Sequence, residues 1–144
     1  MPEIIDVINK LKTFPLFEGL GTRELHAVAS IAKPDRLHSG DIIIRAGEEN
    51  PSIYLVISGQ ITTYQDYQTS EQKELRTAEA NGYLNFVPMF AHVPPANTSV
   101  VTQDAEVLVL AQSQFHEIMR VYPQIGLNCL KMAALLFRQM GFTA

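Results

Sequence analysis

Apolar residues at Ile4, Ile5, Val7, Ile8 and Leu11 recur at three- and four-residue intervals, which predicts a short amphipathic helix over residues 3–12. "FPLFEGL" breaks that period. "GTRELHAVASIAK" restores it, with Gly21 or Thr22 near the N-cap, Glu24 in the first turn, and Leu25, Val28, Ala29 and Ala32 facing inward. From Pro34 the texture changes to short β-rich runs punctuated by turn residues: "RLHSGD", "DIIIRAGEEN", "SIYLVISGQITTYQDY", "KELRTAEANG" and "NTSVVTQDAEVLVLAQ". Helical spacing returns at 113–121 and 123–140, divided at Pro123, where a proline suits a first helical turn. The predicted fold is mainly β with flanking helices, in a single domain over 1–144. N-terminal helices fill 1–33, a roll of about eight short strands fills 34–111, and C-terminal helices fill 112–140. The chain has no internal repeat and no low-complexity segment.

Composition narrows the function. A chain of 144 residues that is 47% apolar has enough material for one sizeable core. The net charge is −4 and the basic residues are scattered, so no nucleic-acid surface is expected. No apolar run approaches the ~20 residues of a membrane span. The N-terminus mixes charges with its apolar residues, unlike a signal peptide. Cys129 is the only cysteine, which excludes an internal disulfide, a CxxC redox pair and a multi-cysteine metal site. A reducing cytoplasm is the expected location.

The stretch "GYLNFVPMFAHVPPANTSVV" (82–101) reads as a turn, a helical turn and a strand start, a layout that lets backbone N–H groups cradle a phosphate. It carries no Arg, Lys, Asp or Glu. Phe86, Val87, Met89, Phe90 and Val93 stand beside the short polar residues Asn97, Thr98 and Ser99, the mixture of an uncharged small-molecule site.

"HSGDIIIRAGEENPSIYLVISGQI" resembles the cyclic-nucleotide-binding domain family of the catabolite-activator type, through Gly40, Ile43 or Ile44, Gly47-Glu48, Ile53-Tyr54-Leu55 and Ser58-Gly59. Gly40, Gly47 and Gly59 also fall where tight turns call for positive φ. "LFEGLGTRELHAVASIA" is similar to the family's leading helices and "FHEIMRVYPQIGLNCLKMAALLFRQM" to its closing ones, so the resemblance spans about 14–140. It implies a cupin-like jelly roll that binds cyclic AMP or cyclic GMP, signals through its C-terminal helices and has no catalytic activity.

The family's phosphate cassette has the form Phe-Gly-Glu-Leu-Ala followed by Pro-Arg-Ala-Ala-Thr-Val. Matched at Gly82, Pro95 and Ser99-Val100, it places the family glycine on Phe86, the ribose-binding glutamate on Val87 and the phosphate-binding arginine on Ala96. A register slip does not repair this, because no arginine lies between Arg76 and Arg120 and no acid between Glu79 and Asp104. Charge-assisted hydrogen bonds contribute ~1.5–3 kcal/mol each. Losing both sets costs ~3–6 kcal/mol, or roughly 10²–10⁴ in affinity. Ordinary cyclic-nucleotide binding is therefore not expected. The pocket residues Gly82, Phe86, Val87, Met89, Phe90, Ala96, Asn97, Thr98 and Ser99 have collapsed inward, or hold a non-nucleotide effector, or keep residual nucleotide affinity. Arg76 and Arg45 are the cations with a route to the pocket from a strand.

Other residues point to little chemistry. His26, His38, His92 and His116 show no metal-ligating spacing. His92 follows the cassette helix and is the one histidine placed to face the pocket. Some members of the wider regulator family bind haem through a histidine, but haem is not expected here. "VISGQ" lacks the leading glycine of a nucleophile elbow, and the cassette offers no acid or base, so no enzyme is expected. In the last helix Leu127, Leu130, Ala134 and Phe137 form one apolar stripe, and Ile125, Cys129, Met132, Leu136 and Met140 another. Two faces suggest that one packs on the barrel and the other joins a second copy. With the sequence running to Ala144, a helix-turn-helix domain like that of the family's transcription factors, and direct DNA binding through one, are not expected. The expected function is a non-catalytic regulatory module with lost or altered nucleotide binding. A cyclic-nucleotide sensor with an atypical cassette, and a ligand-free structural dimer, are the alternatives.

Overall fold

Two fourteen-residue strands, β3 (Ser52–Gln65) and β6 (Thr98–Ala111), form the spine of the β structure in the computed structural model, which describes residues 3–141. They pair antiparallel. β1 (Lys33–Leu37) and β2 (Ile42–Ile44) pair with β6, while β4 (Lys73–Ala78) and β5 (Tyr83–Leu84) pair with β3, completing a six-stranded antiparallel sheet. The roll of about eight short strands is corrected to six. "SIYLVISGQITTYQ" and "TSVVTQDAEVLVLA" each run as one strand, and Gly59 lies inside β3 rather than at its end.

The bulge at Gly59 has a steric cause. Gly59 has φ +88°, and a Cβ there would lie 2.6 Å from the Ala105 Cα and closer still to the Asp104 carbonyl. The register between β3 and β6 shifts on both sides of this glycine, so bulges absorb the corner while the ladder continues.

Two compact units result. Residues 32–113 form the first, cored by Ile44, Val56, Ile61, Leu84, Val101 and Val107. The opposite face of the central strands carries hydroxyls, with Thr62 bonded to Thr77 at 3.0 Å and to Thr102 at 3.2 Å. That pairing satisfies a threonine that is almost wholly buried.

The second unit joins the chain up to Ile31 with the chain from Gln114. It holds α1 (Ile4–Leu11), a 3-10 turn at Pro15–Phe17, α2 (Thr22–Ile31), most of α4 (Gln112–Val121), and α5 (Pro123–Gln139). Of the first predicted stripe, Val7 and Leu11 are buried while Ile4 and Ile5 are exposed. The Gly21 N–H donates to the Glu24 carboxylate at 3.1 Å, half of a capping box at the start of α2. Pro123 opens α5 as expected. The Asn128 amide donates to the carbonyls of Leu16 and Glu18 at 3.2 and 2.9 Å, tying α5 to the 3-10 turn. Among the described residues no helix is long and apolar enough to cross a membrane.

Candidate functional site

The cassette begins where β5 pairs with β3. The next residue, Asn85, adopts left-handed backbone (φ 72°), a conformation asparagine tolerates better than bulkier residues. Its amide donates to the carbonyls of Asn50 and Ser52 at 2.8 and 2.7 Å, fixing the start of the cassette to the loop that leads into β3. The chain then forms α3 (Phe86–Ala91) and leaves it through a second left-handed residue, His92 (φ 54°). The Gln112 amide donates to the Met89 carbonyl at 2.8 Å, and its nitrogen lies 3.2 Å from His92 Nδ1. α3 is thus held at both ends by neutral side chains. Asn85 and Gln112 were not among the predicted site residues. The signal for Asn85 was a lone polar side chain between Leu84 and Phe86.

The predicted pocket residues divide into three groups. Met89 is fully buried, and Phe86 packs its ring against Tyr83 and Phe90 with centroids 5.4 and 5.0 Å apart. Val87 and Ala96, at the family's glutamate and arginine positions, are exposed, and Gly82 and Asn97 are half-buried. Thr98 and Ser99 are buried, and their hydroxyls are already bonded within the protein. Thr98 Oγ1 accepts the Ala46 N–H at 3.1 Å, and Ser99 Oγ lies 2.8 Å from Thr63 Oγ1. The Gly47 N–H donates to the Pro95 carbonyl at 2.8 Å and joins the loop after β2 to the cassette.

A cleft of about 180 Å³ opens beside α3, lined by residues 47 and 49–51 on one side and by Pro88, His92, Val93, Pro94 and Gln112 on the other. It is smaller than the ~300–1,000 Å³ of ordinary ligand pockets. Val93, one of the apolar residues of the expected small-molecule site, lines it, while none of the nine pocket residues from Gly82 to Ser99 does. The loop contribution was not legible because residues 47–51 are remote from the cassette in sequence. His92 does face this cleft. Among the described residues no group of three His, Cys, Asp or Glu side chains gathers to hold a metal ion.

A cation stands beside the uncharged cassette. Arg76 on β4 donates from Nη2 to the Tyr83 carbonyl at 2.7 Å, and its guanidinium carbon sits 5.8 Å from the Tyr83 ring centroid. On α5, Leu127, Leu130, Ala134 and Phe137 are all exposed, while Ile125 and Cys129 are buried. Burial pushes the Cys129 thiol up to about 12, which makes it an inert packing group.

The cyclic nucleotide-binding domain profile matches residues 34–122. The chain belongs to the cyclic nucleotide-binding domain family. Domains of this family are regulatory and generally non-catalytic. The mouse (Mus musculus) patatin-like phospholipase domain-containing protein 6 is 28% identical over 145 residues, a match covering 91% of this chain and 11% of that protein. The chain therefore spans about a tenth of the length of the curated relatives it matches. Among solved structures, the sensor domain of the Pseudomonas aeruginosa transcriptional regulator DNR superposes with a TM-score of 0.80 at 18% identity, covering 97% of this chain and 95% of that one. The regulatory subunit of a cAMP-independent protein kinase A from Trypanosoma brucei, as a triple mutant bound to cAMP in its A site, gives a TM-score of 0.80 at 17% identity, covering 93% and 47%. These likenesses establish the fold of the domain.

Proposed function

We propose that this cyclic nucleotide-binding domain is a non-catalytic, cytoplasmic regulatory module that has lost ordinary recognition of cyclic AMP and cyclic GMP. One observation carries the reading. The cassette has no Arg, Lys, Asp or Glu between Glu79 and Asp104, and the buried hydroxyl oxygen of Thr98 is already taken by the Ala46 N–H. A cyclic phosphate would meet an exposed alanine where a bidentate arginine would match its oxygens. The trypanosomal structure offers a parallel: it is the regulatory subunit of a cAMP-independent protein kinase A, and its form bound to cAMP carries three substitutions, one of which introduces an arginine.

The output surface in this reading is α5. Leu127, Leu130 and Phe137 are 56, 66 and 57% exposed, and their three- and four-residue spacing suits a helix-on-helix seam with a second copy. Calorimetric titration with both nucleotides tests the first part. The expected dissociation constant is no tighter than about 0.1 mM, from the missing arginine and glutamate. Micromolar binding of either nucleotide to the unmodified chain overturns the reading.

A further inference from the structure

The core row of the roll runs across three neighbouring strands, with Val101 of β6 opposite Ile61 of β3 and Ile61 opposite Ala78 of β4. Two residues further along each strand, and so on the same face, the next row is Ser99, Thr63 and Arg76. Its outer member is an arginine beside a bulge, since the pairing of β3 with β4 shifts register between Thr63 and Tyr64. Bulges of this kind re-aim a side chain. Here the Arg76 guanidinium reaches the carbonyl of Tyr83, the first residue of β5, so this row opens toward the start of the cassette.

Counting donors along the row leaves a surplus. The side-chain hydroxyls of Thr63 and Ser99 bond only to each other, which uses one of their two hydrogens, and either can be the donor. The other hydrogen, on buried Ser99 or half-buried Thr63, bonds to no acceptor in the protein. Arg76 uses one of its five N–H groups on Tyr83 and forms no ion pair with an acid among the described residues. A row with several donors, one full positive charge and no anion facing it is the complement of an oxyanion.

We propose that Arg76, Thr63 and Ser99 form an anion-binding site for a small molecule bearing a phosphate or carboxylate group, so that the charge missing from the cassette is supplied by β4. The guanidinium fork meets two oxygens and the spare hydroxyl meets a third, while the Tyr83 ring shields one side of the guanidinium. This inference rests on the reading that the cassette itself no longer recognises a cyclic phosphate, and it names the class of effector such a domain would take.

The test uses the full 144-residue chain in a buffer free of both anions. Inorganic phosphate and succinate are titrated separately by calorimetry, with cyclic AMP in parallel. At least one anion is expected to bind with a dissociation constant of about 1 mM or tighter. Phosphate alone assigns a phosphate ester, and succinate alone a carboxylate. R76Q should weaken that binding by about tenfold or more, R76K by less because charge persists without the fork, and T63V by an intermediate amount. R23Q, at an exposed position of α2, should leave it unchanged. Melting temperatures of all four variants identify any that fail to fold, and T63V, which leaves the charge intact, keeps the site testable if R76Q does so. Absence of binding by both anions, or binding indifferent to R76Q and T63V, overturns the proposal. Micromolar cyclic AMP binding abolished by R76Q supports the Arg76 site but overturns the reading of lost nucleotide recognition. Micromolar binding indifferent to R76Q overturns both.

Discussion

Replacing Gly59 with alanine tests whether the corner in β3 is made by the absence of a side chain. Two costs add there. The backbone has φ +88°, in the left-handed half of the map, where an L-residue costs about 1–2 kcal/mol. The new Cβ would also meet the Ala105 Cα at 2.6 Å and its Cβ at 2.7 Å, both belonging to the paired strand. Backbone cannot step aside as a flexible side-chain tip does, so overpacking adds about 1–3 kcal/mol. The sum, roughly 2–5 kcal/mol, is a large share of the ~5–15 kcal/mol by which a domain is stable. At about 2–4 °C per kcal/mol for a chain of this size, the melting temperature should fall by roughly 4–20 °C.

Gly47 supplies the control. It also has positive φ, +79°, but nothing lies within 4 Å of a Cβ built on it. Gly47→Ala should therefore cost only the backbone strain of about 1–2 kcal/mol. Circular dichroism melts of both variants give the comparison. Equal shifts, or a smaller shift for Gly59→Ala, would refute the steric origin of the corner.

Three further outcomes are expected. Ala96→Arg with Val87→Glu, and with Phe86→Gly to clear the backbone approach, should raise cyclic-nucleotide affinity by roughly 10²–10⁴, from ~3–6 kcal/mol of restored charge-assisted bonds; a folded triple variant that ignores both nucleotides refutes the cassette alignment. Replacing Leu130 and Phe137 with glutamate should turn a dimer into a folded monomer in light scattering, because charges would be forced into an apolar seam; an unchanged dimer puts the interface elsewhere. Cys129, held up near 12 by burial, should resist iodoacetamide at pH 8 until urea unfolds the chain. Its folded value is raised, so its stabilising effect is complete below the unfolded value of about 9 and declines from there up to about 12, at up to about 1.4 kcal/mol per pH unit. A flat stability profile between pH 9 and 11 would contradict that burial.

Local chemistry was the legible part of the chain. Pro123 begins α5, Glu24 reaches back to Gly21, and Gly40 and Gly47 take positive φ, because each effect is decided within three or four residues. Strand number was misjudged for a physical reason. A glycine between apolar runs reads as a turn, yet Gly59 serves as a bulge inside a ladder whose other half, β6, lies some forty residues away. The amphipathic pattern of α1 gave the right helix but too wide a buried face, since the tertiary partner that decides between Val7 and Ile5 is not encoded in the spacing. The absent charges of the cassette could be read off directly. What replaces them could not, because Asn85 finds its acceptors at residues 50 and 52 and Gln112 finds its own at 88 and 89.

If the domain is the regulatory module proposed above, those two side chains set what an effector must overcome to move α3. A ligand moves an element only by as much as it binds two positions of that element differently. In this domain the resting position of α3 is held by four neutral amide N–H groups, two on Asn85 and two on Gln112, the latter shared among Pro88, Met89 and His92. At a net ~0.5–1.5 kcal/mol each, they total roughly 2–6 kcal/mol. A cyclic phosphate gripped by an arginine and a glutamate could match that figure through the cassette alone. An effector engaging Arg76 would draw on a single charge-assisted fork of about 1.5–3 kcal/mol per bond, anchored on β4 and touching the cassette through Tyr83. Such an effector could displace α3 only by also trading one of the Asn85 or Gln112 bonds for a contact of its own. In the proposed reading, the position of α3 is therefore expected to be set first by these hydrogen bonds and only second by occupancy.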